Sequence, residues 1–546
     1  MKIAIEGCAH GELEKIYDCL EILQKKENIK IDLLICCGDF QSVRNYDDLR
    51  GMAVPEKYYN LNTFYKYYSG EKRAPVLTIF IGGNHEASNF LQELPYGGWV
   101  APNIFYMGRA GVVKVVFFFL SGMSGIFKGQ DYLQGLWESP PYSPNSLRSV
   151  YHVRSLDVFR LKQVQEKVHI MLSHDWPTGI TNYGDKEKLL KWKPYFRQDI
   201  ESNQLGSPPA EKLLHSMKPD YWFSAHLHCQ FAALVRHEDS TETKFLALDK
   251  CLPKRRHLQI LDLPSEFDGD KQLRFDEEWL SILKSTNHLL SVRNMDCHMP
   301  GPGCDERYNF TPTLEEKNAI KELMGDMSIK EESFVINTPP FDPKTSVGKK
   351  PEPLWNPQTA ILCEKLGIDD PLQVVLARSG RTMMKYDNCN EVDVAGSKDV
   401  VTPQKNTNKD AFTPSKFLKL SLPEPVTPGV NNTINSDTIC TPFDRKNNLD
   451  PIGTNSSDGE TPVSKEKKKF KRRNQSIYSA EEESNTSNSF LDSDSPRSRI
   501  KTPQILFWTQ TVHIQVKCRM KVNSTFGSIL CAHHSFFFSF SEFIYI

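Results

Sequence analysis

Short apolar runs that stop abruptly on a polar residue dominate the first 262 positions of this 546-residue chain. They occupy residues 2–6, 31–37, 75–81, 112–120, 168–173, 221–225 and 244–248, and several close on Gly, Asp, Asn or His. Runs of this kind read as strands. Between the first two, Leu13, Ile16, Cys19, Leu20 and Leu23 recur at helical spacing, so residues 12–25 are expected to form an amphipathic helix. Strands alternating with helices favour a central sheet with covering helices, an α/β fold.

The texture changes after residue 265. Residues 277–292, 312–327 and 357–366 read as helices, which implies a small, mainly helical domain over 266–370 behind a catalytic-type domain over 1–265. Residues 371–503 are rich in Ser, Thr, Asn, Asp, Lys and Pro. Such a segment buries too little apolar surface to offset its ordering entropy and is expected to be a disordered tail. The tail repeats Thr-Pro or Ser-Pro, at Thr402, Thr413, Thr427, Thr441, Thr461, Ser495 and Thr502. That is either turn-forming low complexity or a series of proline-directed phosphorylation sites. Residues 465–473 (KEKKKFKRR) form a basic block suited to nuclear targeting or to contacting RNA, or simply a solvated charge run. The apolar close at 504–546 does not match what precedes it and is assigned no function.

Charge excludes a whole-molecule electrostatic field: 67 basic and 68 acidic residues give a net charge of −1. Contact with nucleic acid must therefore come from a local patch. The 13 cysteines are odd in number and irregularly spaced, and the N-terminus lacks the apolar stretch of a signal peptide, so a reducing, intracellular setting is expected. Residues 112–120, broken by Lys114, are too short to cross a bilayer, which takes about 20 residues. No membrane is expected as a partner.

Polar residues at the ends of the runs carry the chemistry. Cys8 and His10 follow the first, Asp39 the second, and Asn84 with His85 the third. His174 follows the fifth, and the pair His226 and His228 the sixth. Singly, each is more often a turn former or a satisfied polar residue. Together they count, because loops at the carboxyl ends of strands converge in open α/β sheets. Gly7, Gly38 and Gly83 precede three of them, and glycine permits positive φ and close backbone approach at a sharp strand exit.

The order x-x-His, Gly-Asp, Gly-Asn-His-Glu, His, His-x-His resembles the calcineurin-like metallophosphoesterases. Cys8, where most of that superfamily has Asp, is similar to the RNA lariat debranching enzymes. So are residues 41–45 (QSVRN), 94–103 (LPYGGWVAPN), 173–177 (SHDWP), 245–253 (FLALDKCLP) and 472–478 (RRNQSIY). The resemblance implies a metallophosphoesterase β-sandwich flanked by helices, with the helical C-terminal domain and tail. It implies one metal on Cys8, His10, Asp39 and His228, and a second on Asp39, Asn84, His174 and His226, with Asp39 bridging. His85 would be the general acid. Thiolate favours Fe²⁺ or Zn²⁺ over Mg²⁺, and imidazole with carboxylate leaves Mn²⁺ open. The substrate implied is branched intron lariat RNA, cleaved at its 2′–5′ linkage in the nucleus, with the cytoplasm as a further compartment. Spliceosome-associated or RNA-turnover proteins are the partners implied for the tail.

In this family an insertion recognises the lariat, and here it maps to residues 124–154. Ser124, Lys128, Tyr132, Arg148, Tyr151, His152 and Arg154 are its expected RNA contacts, since rings stack on unpaired bases while cations meet phosphates. An ordinary surface loop with packed aromatics is the alternative. Three features depart from the pattern: Ala225 stands where the superfamily usually has glycine, residues 115–120 are apolar where a polar hairpin turn would fall, and the close at 504–546 lies outside the resembling region. The competing functions are another metallophosphoesterase with a different pocket and a non-catalytic scaffold. The complete ligand set argues against the scaffold.

Overall fold

Ile3 and Ile5 point one way from the first strand and Ala4 the other, and all three are fully buried. A strand covered on both faces has to lie inside a layered structure. The computed structural model, which describes residues 1–115, 118–263, 271–344, 348–386 and 543–545, shows the layers.

The first sheet contains β1 (Lys2–Glu6), β2 (Leu33–Cys36), β3 (Leu77–Phe80), β4 (Gly98–Ala101) and β5 (Ile104–Tyr106). The second contains β6 (Ala110–Val115), β7 (Phe118–Met123), β8 (Ile170–Ser173), β9 (Tyr221–Ser224), β10 (Phe231–Arg236) and β11 (Glu242–Ala247). Strands β12 (Leu258–Asp262) and β14 (Phe543–Tyr545) extend the first sheet, and β13 (Leu273–Phe275) the second. The strand orders are β14-β12-β1-β2-β3-β5-β4 and β10-β11-β9-β8-β7-β6-β13. Between the sheets lies an apolar cluster that includes Ile3, Ile5, Leu33, Ile35, Leu120, Ile170 and Phe223. On the far side of the first sheet, Ala4, Leu34 and Phe80 share a second cluster with Leu13, Ile16 and Leu20 of the helix Leu13–Glu27. This is the helix-flanked α/β sandwich expected from the sequence.

Three local expectations are corrected. The 112–120 run is not one strand but parts of two arms, β6 and β7, paired antiparallel from Ala110↔Met123 to Val115↔Phe118. Val113, Val115, Phe118 and Leu120 are all buried between the sheets, so apolar content continues straight through the reversal. The helix expected over 277–292 is Glu277–Ser285. Thr286 ends it: its Oγ1 donates to the Ile282 carbonyl at 2.6 Å and accepts from Arg160 Nε at 2.9 Å. Finally, regular structure continues past residue 370 as the helix Pro371–Arg378, capped by Asp370, which accepts from the Leu372 amide at 2.9 Å.

Residues 271–386 are bonded into the sandwich rather than set apart from it. β13 pairs with β6. Gln358 exchanges two hydrogen bonds with the Trp99 backbone at 2.8 and 2.9 Å. Arg44, fully buried, meets Asp48, Glu93 and Asn337 at 2.8–3.0 Å. No helix among the described residues is long and apolar enough to cross a membrane. The Thr-Pro series, the basic block 465–473 and the expected disorder of the tail lie outside the described residues.

Leu372 and Leu376 of the last helix are each 1% exposed. Relative to a chain ending at residue 386, one ending at residue 370 should lose about 3–6 kcal/mol of stability, from about 1.5–3 kcal/mol per buried side chain. Denaturant unfolding measures this, and equal midpoints would remove the helix from the folded core.

Candidate metal centre

Strands β1, β2 and β3 lie parallel and adjacent, as do β8 and β9 in the second sheet. Their carboxyl ends deliver Cys8 with His10, Asp39, Asn84 with His85, His174, and His226 with His228 to one place. This is the crevice position that open α/β sheets offer ligands.

The turns that do this are conformationally costly. His10, Asp39, His226 and His228 all have φ between 47° and 63°, the left-handed region that non-glycine residues seldom occupy. Strain of about 1–3 kcal/mol per residue persists only where the surroundings over-determine it. Gly38 has φ of +109°, and a Cβ there would stand 2.2 Å from His174 Nδ1. A Cβ on Gly83 would stand 2.2 Å from Asp39 Oδ1. Both glycines are needed for close approach, and Gly38 for its backbone angle as well.

Cys8, His10, Asp39 and His228 present donor atoms that all lie within 4.8 Å of one another. His10 Nε2 is 3.2 Å from His228 Nε2 and 3.7 Å from Asp39 Oδ2. On the other side of Asp39, its Oδ1 is 3.3 Å from His174 Nε2, which is also 3.3 Å from Asn84 Oδ1. The His226 ring lies beside that of His174, with centroids 4.9 Å apart. The two oxygens of Asp39 thus face two donor groups.

A backbone carbonyl fixes the tautomer of His174, and other neighbours hold His10 in place. His174 Nδ1 donates to the Cys37 carbonyl at 2.8 Å, which turns Nε2 inward. The Gln41 side chain hydrogen-bonds His10 Nδ1 at 3.2 Å and Asn62 donates to the His10 carbonyl at 3.0 Å. The Glu86 carboxylate accepts from the amides of Phe40, Gln41 and Gly83 at 2.8–2.9 Å and so ties the second and third strand exits together. The sequence assigns no role to Glu86, Gln41 or Asn62, although Gln41 opens the QSVRN match. Glu86 was in plain view inside Gly-Asn-His-Glu, but nothing local distinguishes a carboxylate that gathers amides from a ligand.

Electrostatics fit a cation. Burial lowers the pKa of His10 and His226, holding both as neutral imidazoles with a lone pair to give. Burial opposes ionisation of Asp39, but the imidazoles of His174 and His85 outweigh it and keep the carboxyl well below the usual range. At Cys8, burial and the charge of Asp39 push the thiol well up, while the His226 amide donates to Sγ at 3.2 Å. Among the described residues, no Lys or Arg pairs with Asp39. A divalent ion would supply the missing charge and ionise the thiol, and a mixed S, N and O donor set suits such an ion. The residues present fit such a group.

The loop 124–154 divides its expected RNA contacts in two. Arg154 is 1% exposed. It pairs with Glu138 and donates to the carbonyls of Asp131 and Ser149 at 2.5 and 3.0 Å. His152 is buried, with Nδ1 2.7 Å from Asp131. Ser124 Oγ donates to the Gly108 carbonyl at 2.6 Å and accepts from the Gly82 amide at 2.9 Å. Arg154 and His152 brace the loop from within, which corrects the expectation that they face RNA, while Ser124, half-buried, ties the start of the loop to Gly82 and Gly108. Arg148 is exposed, and Lys128, Tyr132 and Tyr151 partly so. Tyr151 also lines a cavity with Gly83, Arg109 and Ser124 beside the centre.

Two family models match the chain: calcineurin-like phosphoesterase over residues 1–230, and the C-terminal domain of lariat debranching enzyme over residues 240–371. The lariat debranching enzyme of Drosophila melanogaster is 48% identical over 538 residues, covering 88% of this chain and 100% of the relative. That of Homo sapiens is 48% identical over 424 residues, covering 75% of this chain and 77% of the relative. The Arabidopsis thaliana enzyme of the same name is 48% identical over 370 residues, with 67% and 86% covered.

Substituting Gly83→Ala should at least halve the divalent metal that co-purifies with the protein, because the added methyl collides with Asp39. Elemental analysis reads this directly; unchanged metal content would show that the third strand exit can relax without cost.

Proposed function

Because the chain belongs to the lariat debranching enzyme family, we propose that it hydrolyses the 2′–5′ phosphodiester at the branch point of excised intron lariat RNA, linearising it for turnover. The supporting observation is the meeting of Cys8, His10, Asp39, Asn84, His174, His226 and His228 from five strand ends at one buried carboxylate. On this reading Cys8, His10, Asp39 and His228 hold one divalent ion, and Asp39, Asn84, His174 and His226 a second. Two such ions would supply Lewis-acid polarisation of the phosphoryl group and an acidified water. Fe²⁺, Zn²⁺ and Mn²⁺ are the candidates, the Cys8 sulfur disfavouring Mg²⁺.

His85 does a different job. Its backbone amide donates to Asp39 Oδ1 at 2.8 Å, and its ring packs edge-on against that of His10, with centroids 5.4 Å apart. The ring nitrogens make no hydrogen bond among the described residues, and the side chain is half-buried. An imidazole oriented by its own backbone, beside the donors and open on one side, is placed to protonate the leaving 2′-oxygen. Tyr151 lines the cavity beside the centre, and Lys128, Tyr132 and Arg148 of the same loop are at least partly exposed, which supports stacking of an unpaired base and contact of a phosphate with a cation there. Acting on excised introns would place the protein in the nucleus, with the cytoplasm as the alternative, and would bring spliceosome-associated or RNA-turnover proteins to the tail.

The decisive assay offers the purified protein matched RNAs, one carrying a 2′–5′ branch and one linear. Selective loss of the branch is expected, and equal cleavage of both would turn the reading towards a general phosphoesterase. His85→Ala should keep its metal and lose about 10²–10⁴-fold in turnover. Wild-type turnover in that variant would remove His85 as the acid. Cys8→Asp should shift metal preference towards Mn²⁺, and an identical metal profile would exclude Cys8 as a ligand. Lys128→Ala with Arg148→Ala should raise KM for branched RNA while leaving the melting temperature in place, whereas Arg154→Leu should lower the melting temperature first.

A further inference from the structure

Beneath the backbone of Cys8 lies a second group of donors. One oxygen of Glu6, the sulfur of Cys251 and one ring nitrogen of His257 all fall within 4.8 Å of one another. Glu6 is fully buried and Cys251 is 5% exposed, while the His257 side chain is 14% exposed. Glu6 closes β1, and the other two flank the loop between β11 and β12. Backbone bonds hold the three segments in register: the Gly7 amide donates to the His257 carbonyl at 2.9 Å, and the Cys251 amide to the Cys8 carbonyl at 3.0 Å.

We propose that Glu6, Cys251 and His257 bind a Zn²⁺ ion, separate from the centre described above, which pins the β11–β12 loop to the end of β1. Thiolate, imidazole and carboxylate are the zinc donors by type. Their charges suit it, since a thiolate and a carboxylate together neutralise one divalent ion in a site where an uncompensated charge would be costly. Without the ion, His257 Nδ1 answers Glu6 alone, at 2.9 and 3.0 Å, and the Cys251 sulfur makes no hydrogen bond among the described residues. Ligands held about 2.0–2.3 Å from a tetrahedral zinc stand roughly 3.3–3.6 Å apart, so the pair need open by only a few tenths of an ångström. The neighbouring carboxylate, Asp249, is already engaged by Arg255 at 3.2 and 3.3 Å and does not compete. The fourth position falls to the second Glu6 oxygen or to a water entering past His257.

Cobalt substitution in the full-length protein tests this, because a thiolate-to-cobalt charge-transfer band reports sulfur ligation wherever it occurs. The band should survive Cys8→Ala and disappear in Cys8→Ala/Cys251→Ala; its complete loss in Cys8→Ala alone overturns the proposal. Independently, zinc content should fall by one equivalent per chain in His257→Phe, which fills the ring's space; should His257→Phe fold poorly, the same fall is expected in folded Cys251→Ser. Content equal to wild type in a folded variant also overturns it. Neither readout involves RNA, so their failure is distinct from failure of the debranching reading.

Discussion

A carboxylate that touches no ligand organises the centre. Glu86 collects three amides from two different strand exits, and burial, followed by the charge of Asp39, lifts its pKa to about 7. Three convergent N–H donors stabilise that group where a lone buried carboxyl would be unfavourable. The same three bonds fix where Asp39 and Asn84 stand. Once those exits are set, the left-handed turns at His10, Asp39, His226 and His228 follow from the packing around them. The strain is local, and the two-cluster core that bears it extends across the sandwich.

The centre was legible because its signals are short. Each donor follows an apolar run within a few residues, and Gly-Asp or Gly-Asn-His-Glu is unusual after a hydrophobic strand unless something must be presented there. The layered fold was legible for the same reason: runs buried on both faces and a helical period between them leave few other arrangements. What the sequence concealed depends on partners far away along the chain. Arg44 finds Asn337 at a separation of 293 residues. Arg154 and His152 turn inward because Glu138 and Asp131 lie on the opposite side of the loop, a matter of folded geometry that aromatic-and-basic composition cannot express. The β6–β7 pairing is marked in the sequence only by the family resemblance, which puts a hairpin turn at residues 115–120; the apolar run itself carries no such sign because both arms are covered. Strands β4, β5, β10 and β12 went unread as well, each short or flanked by residues that blur its period.

The region after residue 270 has two roles. It closes one edge of the second sheet through β13, an exposed row of backbone donors and acceptors that would otherwise invite pairing with other chains. It also supports the loop beside the centre: the Gly135 and Leu136 amides donate to the Arg293 and Ser291 carbonyls at 2.9 and 2.8 Å, and Arg381 reaches Ser139 at 3.3 Å. The family model for the C-terminal domain therefore covers a part of the chain on which the catalytic half leans.

The inward-facing Arg154 has one further effect. A loop whose cation is used internally, and whose base is closed by Ile126 pairing with His152, is already ordered before any substrate arrives. The entropy of fixing each backbone residue, about 1–2 kcal/mol, has then been met during folding and is not levied again on the complex. Such a loop behaves as a rigid template. Whatever settles against it is the component that must adjust its shape.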